Sequence, residues 1–291
     1  MLPSEYKGVL PMSCEPYPIL VTINKNYIPP LVVMLRSLLR AEPEAEFSVY
    51  ILHSSLDGSD IQRIELGVGS RRCSIHAILA EDTLLEDAPV TVRYPKEMYY
   101  RIFAARFLPE HLDRILYLDP DLVAINSIRP LFEMQMDEYL FAAASHVKGP
   151  IQKINEMRLA MEECTPYINT GVMLMNLKNL RREQDYGQVY QYIQKYRKRL
   201  LLPDQDVISG LYASRILPLD PYLYNMTERL FLLRADAQCW RNLDWVRSNT
   251  IIIHYCGRNK PWKKNYKGKL DVFWLEISQT PLPVEIERRN G

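Results

Sequence analysis

Short apolar runs alternate with polar segments along the first part of this chain. Runs of strand length lie at 18–23, 47–52 and 73–79. Between them, the pattern predicts a helix that begins at Pro29-Pro30 and extends through Leu39, and a second helix near Ser59–Leu66. Strands that alternate with helices at this spacing are typical of βαβ units. The pattern therefore predicts an α/β protein with a largely parallel sheet.

The most informative run is Arg114–Leu118, which leads directly into Asp119-Pro120-Asp121. A short continuous apolar run is typical of a strand that is buried on both faces, and ligands bind at the carboxyl ends of such strands. Two carboxylates one residue apart, together with a substrate diphosphate, can hold Mg²⁺ or Mn²⁺, and Pro120 stiffens the link between them. Taken alone, Asp-Pro-Asp is more often a simple polar turn after a strand.

The later part of the chain continues the pattern. It predicts helices at 98–107 and 182–202, strands at 139–145, 167–177 and 250–254, and a less periodic stretch at 147–164 that would cover the site. We interpret the tyrosine-rich face of the 182–202 helix as core packing rather than a platform for stacked bases. With no repeat or linker in evidence, we expect one domain over 1–265 and a C-terminal helical appendage over 266–291.

Composition narrows the class of protein. The 291 residues are 47% hydrophobic and 24% charged, as in soluble globular proteins. The 36 basic and 35 acidic residues give a net charge of +1, so no bulk charge favours a nucleic-acid partner. The five cysteines are scattered and form no C-x-x-C pair, which indicates a reducing compartment. Residues 1–18 lack the apolar core of a signal peptide, and no run reaches the ~18 residues of a membrane span. We expect a cytoplasmic protein.

Two further polar stretches follow predicted strands. Asn24 and Asn26 come after the first strand, where an amide can bond a base or a ribose, although helix capping is the more common role. Asn169-Thr170-Gly171 interrupts an apolar strand. A close approach by a ligand and a β-bulge with a satisfied asparagine explain that interruption equally well.

Two more stretches carry ionisable groups. Asp204-Gln205-Asp206 begins an apolar helix, where one acid serves as the N-cap and the other exceeds what a cap needs. His254 ends a strand and Lys260 follows closely; an imidazole shifts metal preference toward Mn²⁺, and a lysine suits a phosphate oxygen, although a lone histidine is more often structural. Residues 258–269 carry six basic side chains and no acidic one. A solvated face, an anion site and a weak membrane contact all fit; we favour one lysine in the site and the others in solvent.

Together these motifs resemble glycosyltransferase family 8. The matching segments occur in the family's order and are Asn24-Lys25-Asn26-Tyr27, Tyr100-Arg101, Leu116–Asp121, Asn169-Thr170-Gly171-Val172, Asp204-Gln205-Asp206, His254-Tyr255-Cys256-Gly257 and Lys260-Pro261-Trp262. The resemblance implies a nucleotide-diphospho-sugar transferase-like (GT-A) fold, in which helices flank a Rossmann-like, mixed, mostly parallel sheet.

The resemblance also implies a set of ligands and residue roles. The ligands are a UDP-sugar donor and Mn²⁺, with Mg²⁺ as the alternative. The metal ligands would be Asp119, Asp121 and His254. The donor would contact Thr22, Asn24, Asn26, Arg101, Asp119, Pro120, Asp121, Asn169, Gly171, His254, Gly257 and Lys260, with the two N-terminal asparagines at the uridine. The catalytic set would be Arg101, Asp204, Gln205 and Lys260.

The function that the resemblance implies is retaining transfer of glucose or galactose from a UDP-sugar to a glycan or glycolipid hydroxyl, with an α-linkage, in cell-surface polysaccharide or lipopolysaccharide biosynthesis.

Two positions depart from the family: Asn24 stands where relatives often carry an acid, and Ser145–Lys148 lacks an aspartate that some relatives use near the acceptor. One alternative is a nucleotidyltransferase, which usually has a glycine-rich phosphate loop, whereas residues 18–30 contain no glycine. Another is a non-catalytic nucleotide-sugar binder. Weak peripheral contact with the inner face of a membrane through the basic C-terminal segment is a further expectation.

Overall fold

The computed structural model describes residues 15–80, 97–233 and 242–281. The strands are β1 Tyr17–Thr22, β2 Phe47–His53, β3 Cys73–Leu79, β4 Arg114–Leu118, β5 Leu122–Ala124, β6 Phe141–Ala144, β7 Val172–Asn176, β8 Ile216–Leu219 and β9 Ile252–His254. The helices are α1 Ile28–Ala41, α2 Gly58–Val68, α3 Glu97–Tyr100, α4 Ala104–Phe107, α5 Arg129–Phe132, α6 Pro150–Leu159, α7 Leu177–Glu183, α8 Tyr186–Tyr196, α9 Pro203–Tyr212, α10 Pro221–Tyr224, α11 Glu228–Leu233, α12 Leu243–Asn249 and α13 Asp271–Ser278.

Seven strands form the central sheet, in the order β3-β2-β1-β4-β7-β6-β8. β7 runs antiparallel to its neighbours β4 and β6, and the remaining pairs are parallel. The expectation of a Rossmann-like, mixed, mostly parallel sheet flanked by helices is therefore confirmed. β5 and β9 pair in a separate two-stranded antiparallel sheet.

Both faces of the central sheet are covered by apolar side chains. Ile19 and Val21 of β1 join one buried cluster with α1, whereas Leu20 joins the cluster on the opposite face with the helices that follow β3. Successive strand residues point to opposite faces, so a strand that is buried on both sides reads as an uninterrupted apolar run. This is why central strands such as β1 and β4 are recognisable in the sequence.

Strand register brings three distant segments to one edge of the sheet. Leu20 of β1 lies opposite Tyr117 of β4, and Leu118 of β4 lies opposite Val172 of β7. The pairing continues one step further, because the Asp119 N–H donates to the Gly171 carbonyl at 2.8 Å. The carboxyl ends of β1 and β4 and the start of β7 are therefore neighbours.

The small sheet brings a fourth segment to the same edge. Leu122 of β5 lies opposite His254 of β9, and the Tyr255 N–H donates to the Asp121 carbonyl at 2.9 Å. On the other side of β9, the His254 N–H donates to the Met226 carbonyl at 2.7 Å. The Asp-Pro-Asp turn thus sits between the two sheets.

Predicted and observed bounds differ most for three elements. The helix expected at 98–107 is two short helices, α3 and α4, separated by a turn at 101–103. The strand expected at 167–177 begins only at Val172, so Asn169-Thr170-Gly171 forms the turn before β7 and neither interrupts a strand nor forms a bulge. The reason is that β4 ends at Leu118 and the chain turns away after the bond from the Asp119 N–H to the Gly171 carbonyl, so the residues before Gly171 have no partner on β4.

The third difference concerns the helix expected at 182–202. The chain forms α7 and then α8, and the break lies at Asp185, whose side chain caps α8 by accepting from the Gly187 and Gln188 N–H groups. The tyrosine face does pack inward: Tyr196 is buried, and Tyr186 and Tyr192 pack against the core. The less periodic stretch at 147–164 contains α6.

The C-terminal part of the described chain packs onto the main body. Phe273 and Trp274 of α13 are buried in a cluster with Val123 of β5 and Ile253 of β9. The domain boundary at 265 stays a prediction. In residues 15–80, 97–233 and 242–281, no helix is long and apolar enough to cross a membrane. Residues 1–14 and 282–291, on which the expectations for the N-terminus and the end of the appendage rest, lie outside the described residues, as do Cys14 and Cys239.

Candidate active site

Three candidate metal ligands meet at the edge between the two sheets. Asp119, Asp121 and His254 each offer a ligand atom, and these atoms lie within 4.8 Å of one another. His254 Nε2 is 3.2 Å from Asp121 Oδ1 and 3.6 Å from Asp119 Oδ2. Asp121 and His254 are buried, and Asp119 is partly exposed. Two carboxylates and one imidazole form a donor set that suits Mn²⁺ and accepts Mg²⁺.

Gly171 leaves space beside these ligands. A Cβ at this position would lie 2.2 Å from His254 Cε1 and 2.7 Å from Asp119 Oδ2, so any side chain would collide with both groups. A glycine at the start of a strand often marks such a close approach. The donor set and the space beside it therefore fit a divalent cation.

Lys260 and Asp121 form a buried ion pair in the same place. The Lys260 ammonium also donates to the Tyr255 carbonyl at 3.0 Å. Burial by itself would raise the pKa of Asp121, but His254 and Lys260 hold that pKa well below its usual range. Asp121 is therefore a carboxylate at any ordinary pH. Gly257, in the loop that returns to Lys260, has a φ of +85°, a conformation that favours glycine.

Arg101 joins the candidate metal ligands to the first turn of α9. Its guanidinium Nη1 lies 3.0 Å from Asp119 Oδ1 and 3.0 Å from Asp204 Oδ2, and it sits over the Tyr117 ring at 4.3 Å. Burial would lower the pKa of Arg101, but the carboxylates of Asp119 and Asp204 raise it above its usual value. The turn that separates α3 from α4 is what points this side chain at the site.

Asp204 is almost completely buried and faces the site. Its Oδ2 accepts from the Thr170 hydroxyl at 2.6 Å as well as from Arg101, and burial raises its pKa while Arg101 opposes that shift. The N-cap of α9 is Leu202, which has no side-chain cap. Helix capping, the simpler explanation for this aspartate, does not describe Asp204.

Asp206 has the structural role instead. Arg158 donates two hydrogen bonds to the Asp206 carboxylate, at 2.7 and 2.8 Å, and the Tyr167 hydroxyl donates to it at 2.7 Å. It also accepts from the Leu202 N–H at 3.1 Å, so it caps the start of α9 from within the first turn. Asp206 is fully buried and anchors the helix that presents Asp204.

A pair of amides lies beside Asp204. Asn169 Nδ2 donates to Gln205 Oε1 at 3.0 Å, and Gln205 Nε2 is 3.5 Å from the Tyr167 hydroxyl. Tyr167 is in turn held by Asp206. The two amides are therefore fixed in place by the same anchor as α9.

The residues expected at the nucleotide sit at the end of β1. Thr22 Oγ1 is 3.1 Å from the Tyr117 hydroxyl, which donates to Asp119 Oδ1 at 2.7 Å. Asn24 Oδ1 accepts from the Asn26 N–H at 3.1 Å, so this asparagine caps the short 3₁₀ turn Lys25–Tyr27. The Asn26 side chain is exposed, and Pro120 is buried between the two metal-site aspartates. Donor contacts by these residues stay a prediction.

Sequence reasoning missed two participants. Tyr117 precedes Asp119 by two residues, and the alternation of side chains along a strand was a usable signal that both belong to one face. Asn225 is fully buried, with its Oδ1 3.0 Å from His254 Nδ1 and its Nδ2 donating to Asn169 Oδ1 at 2.9 Å. It follows α10 as an ordinary turn residue, and its local sequence carries no signal of this role.

The basic segment 258–269 divides as expected. Lys260 is buried in the site. The other five basic side chains, Arg258, Lys263, Lys264, Lys267 and Lys269, are exposed. One basic side chain therefore lies at the candidate metal ligands, and five face solvent.

Comparison with known proteins gives a consistent result. The model of the family described as glycosyl transferase family 8 matches residues 18–266. Lipopolysaccharide 1,2-glucosyltransferase of Escherichia coli strain K12 is 27% identical over 245 residues, which cover 83% of this chain and 71% of that protein. General stress protein A of Bacillus subtilis strain 168 is 24% identical over 250 residues, 84% of this chain and 86% of that protein.

Solved structures share the fold. The crystal structure of the galactosyltransferase LgtC in complex with donor and acceptor sugar analogues superposes with a TM-score of 0.76 at 22% identity, and the match covers 92% of this chain and 98% of that one. The bifunctional glycosyltransferase WbbM has a TM-score of 0.72 at 18% identity over 97% of this chain and 53% of its own. At these identities the likeness concerns the fold.

Proposed function

This chain belongs to glycosyl transferase family 8, and on that premise we propose that it is a metal-dependent, retaining hexosyltransferase that uses a UDP-sugar. Its donor would be UDP-glucose or UDP-galactose, and its acceptor a hydroxyl of a glycan or glycolipid in cell-surface polysaccharide or lipopolysaccharide biosynthesis. The observation that carries the proposal is the convergence of Asp119, Asp121 and His254 on one point, with Arg101 and Asp204 beside them. Membership of this family favours glycosyl transfer over the nucleotidyltransferase alternative.

On the diphosphate side, Asp119, Asp121 and His254 would hold Mn²⁺ or Mg²⁺. When bound, the cation supplies positive charge that stabilises the departing diphosphate. Lys260 would add a second positive charge at the same place, because its ammonium lies beside Asp121 in a buried position. A preorganised charge in a site shielded from water stabilises charge development without solvent reorganisation. Thr22, Asn24, Asn26 and Gly257 would lie along the nucleotide.

On the sugar side, Arg101, Asn169, Asp204 and Gln205 would orient the hexose. Asp204 Oδ1 and Arg101 Nε are buried and have no hydrogen-bond partner within residues 15–80, 97–233 and 242–281. Buried polar atoms without partners are costly, and sugar hydroxyls are natural partners for them. These two atoms support a polar ligand at this position.

The groups proposed to lie around the sugar support retention. Inversion needs a base opposite the leaving group, and Gln205 is a poor base and a poor nucleophile. Asp204 Oδ2 is engaged by Arg101 and Thr170, and we assign Asp204 to orienting the sugar rather than to acting as a base. We therefore expect front-face displacement: the acceptor oxygen bonds to the anomeric carbon as the bond to UDP breaks, and the acceptor proton passes to the departing phosphate. An α-linked donor then gives an α-linked product.

The test is a panel of UDP-sugars with Mn²⁺, in which UDP release is measured by chromatography and the configuration of the released or transferred sugar by proton NMR. We expect release from UDP-glucose or UDP-galactose, loss of release with a chelator, and an α-anomeric product. A β-anomeric product would overturn retention. Donor binding without any turnover would instead support the non-catalytic binder.

Lys260→Ala provides a matched variant for this assay. It should lower turnover more than donor affinity, because the charge matters most as the phosphate departs. Lys263→Ala is the control, since Lys263 is an exposed lysine of the same segment. Equal losses in Lys260→Ala and Lys263→Ala would mean that the segment acts as a basic surface.

The exposed basic side chains of 258–269 bear on the enzyme's partners and cellular location. We propose a cytoplasmic enzyme with weak peripheral contact with the inner face of a membrane through the five exposed basic side chains of 258–269, and no nucleic-acid partner. The five charges favour anionic lipid electrostatically. Co-sedimentation with phosphatidylserine vesicles tests this: binding that is lost at high salt and absent from phosphatidylcholine vesicles is expected, and equal sedimentation with both would contradict it.

A further inference from the structure

Asn225 lies between the candidate metal ligands and the amides of the sugar side. It is fully buried, and its backbone is fixed on both sides. The next residue, Met226, donates its N–H to the Ile252 carbonyl at 3.0 Å and accepts from the His254 N–H at 2.7 Å. His146 Nε2 donates to the Asn225 carbonyl at 2.8 Å. The two Met226 bonds tie the backbone around Asn225 directly to β9, the strand that carries His254.

The direction of each hydrogen bond of Asn225 is set by one backbone group. The Gly171 N–H can only donate, and it points at Asn169 Oδ1 at 3.1 Å, so that atom is the amide oxygen. Because Asn169 Oδ1 accepts, the Asn225 atom 2.9 Å away is the donor Nδ2. The other end of the Asn225 amide is therefore Oδ1, an acceptor, and it lies 3.0 Å from His254 Nδ1.

This chain of bonds selects one tautomer of His254. An acceptor opposite Nδ1 requires the proton to be on Nδ1, so in the neutral imidazole Nε2 carries a lone pair. That lone pair faces carboxylate oxygens of Asp121 at 3.2 Å and Asp119 at 3.6 Å. Three electron-rich atoms that face one another are stabilised by a cation between them. Hydrogen-bond partners of this kind commonly fix the orientation and raise the basicity of metal-binding histidines.

We propose that Asn225 is a positioning residue of the metal centre. Its Oδ1 fixes the tautomer and ring orientation of His254, and its Nδ2 links that imidazole to Asn169, which in turn holds Gln205. The metal half and the sugar half of the site are thereby joined through one buried amide. The inference rests on the metal site of the proposed function.

The first test is the Mn²⁺ affinity of Asn225→Ala, measured with no nucleotide present from the electron paramagnetic resonance signal of free Mn²⁺. Removing the partner of His254 Nδ1 should weaken Mn²⁺ binding about 10–100-fold. Asn179→Ala is the matched control. Asn179 is also buried, and its side chain donates to the Asp137 carbonyl at 2.7 Å, at the opposite end of β7 from the site. Its Mn²⁺ affinity per folded molecule should equal that of the wild type.

The second test is Asn225→Asp, which keeps the acceptor and removes the donor. A carboxylate still accepts from His254 Nδ1, so Mn²⁺ affinity should return close to the wild-type value. Turnover of Asn225→Asp should nevertheless be lower than that of the wild type. Asn169 Oδ1 would face a carboxylate oxygen in place of Asn225 Nδ2, and the displaced Asn169 would no longer hold Gln205. If Asn225 had a purely structural role, Asn225→Asp should lose at least as much Mn²⁺ affinity as Asn225→Ala, since a buried charge disturbs packing at least as much as alanine does.

The outcomes separate this inference from the proposed function. The inference would be overturned if Asn225→Ala kept the wild-type Mn²⁺ affinity, or if Asn225→Ala and Asn225→Asp lost Mn²⁺ affinity equally. Either result would count even if the wild type transfers sugar. If the wild type binds Mn²⁺ but turns over no UDP-sugar, the proposed function fails, while the ordered Mn²⁺ affinities of the variants still support the positioning role. Thermal melts of each variant provide the folded fraction used in every comparison.

Discussion

The chain contains two Asp-x-Asp segments that function differently. In Asp119-Pro120-Asp121, both carboxylates reach His254 and belong to one cluster. In Asp204-Gln205-Asp206, the first carboxylate pairs with Arg101 at the site, whereas the second is enclosed by Arg158 and Tyr167. The same spacing thus gives one shared site in the first case and two separate environments in the second.

Backbone conformation explains this difference. Asp204 and Asp206 lie in the first turn of α9, where residues two apart point in directions that differ by about 200°, on opposite sides of the helix. Asp119 and Asp121 flank a turn between β4 and β5, and this turn carries the chain from one sheet to the other. The turn lets both side chains face the gap between the sheets. Spacing in the sequence therefore predicts convergence only when the backbone type is known.

Asp121→Asn should have the largest effect on turnover. A neutral amide removes one anionic metal ligand and a partner of the buried Lys260, so turnover should fall at least about 10²–10³-fold. Mn²⁺ affinity, measured by calorimetry, should fall with it. Thermal melts control for the unpaired lysine. If donor binding kept its affinity and its Mn²⁺ dependence, the metal assignment would be wrong.

Asp204→Asn should come next. If Asp204 orients the sugar as proposed, UDP and Mn²⁺ binding should stay near wild type while turnover falls by about 10²-fold. Parallel calorimetry and UDP-release assays measure this separation. If Asp204→Asn lost only about 1 kcal/mol of unfolding free energy and kept its turnover per folded molecule, the result would indicate that Asp204 acts as a helix cap.

Pro120→Ala should lower turnover only a few-fold. The two neighbouring carboxylates are held by their own partners, with Tyr117 and Arg101 on Asp119 and Lys260 on Asp121. The main expected cost is about 0.4–1 kcal/mol of unfolding free energy, because the unfolded chain gains freedom. Urea unfolding and Mn²⁺ titration measure the two quantities. A loss of metal affinity as large as that of Asp121→Asn would show that the proline itself aims the carboxylates.

Asp206→Asn should have the smallest effect on turnover but a large effect on stability. It would leave Arg158 without its carboxylate in a largely buried position, at a cost of about 3–5 kcal/mol. Turnover per folded molecule, measured well below the melting temperature, should fall less than in the three variants above, because Asp206 acts on the site only through α9 and Tyr167. Reduced turnover with unchanged stability would mean that the two segments are more alike than their contacts indicate.

The sequence by itself determined the local elements and the chemical inventory. β2 extends one residue beyond its predicted end and β1 begins and ends one residue earlier than predicted; both were recognisable because burial on both sheet faces leaves a continuous apolar run. The edge strand β3 has the predicted bounds although its residues are only partly buried or exposed. The turn after β4, the lysine in the basic segment and the family resemblance were all readable from short stretches. The helix break at Arg101 and the late start of β7 were not, since the strand or helix partners that end each element lie elsewhere in the chain.

Only the tertiary structure decided which of these residues meet. Apolar periodicity reports that a strand is buried but not which strand lies beside it, so the antiparallel placement of β7 was invisible. Lys260 and Asp121 are 139 residues apart and meet because β5 pairs with β9. Asn225 reaches His254 for a similar reason, through the bridge between Met226 and Ile253. Contacts of this kind depend on strand order and register, which the pairing of whole elements sets and no single stretch of sequence encodes.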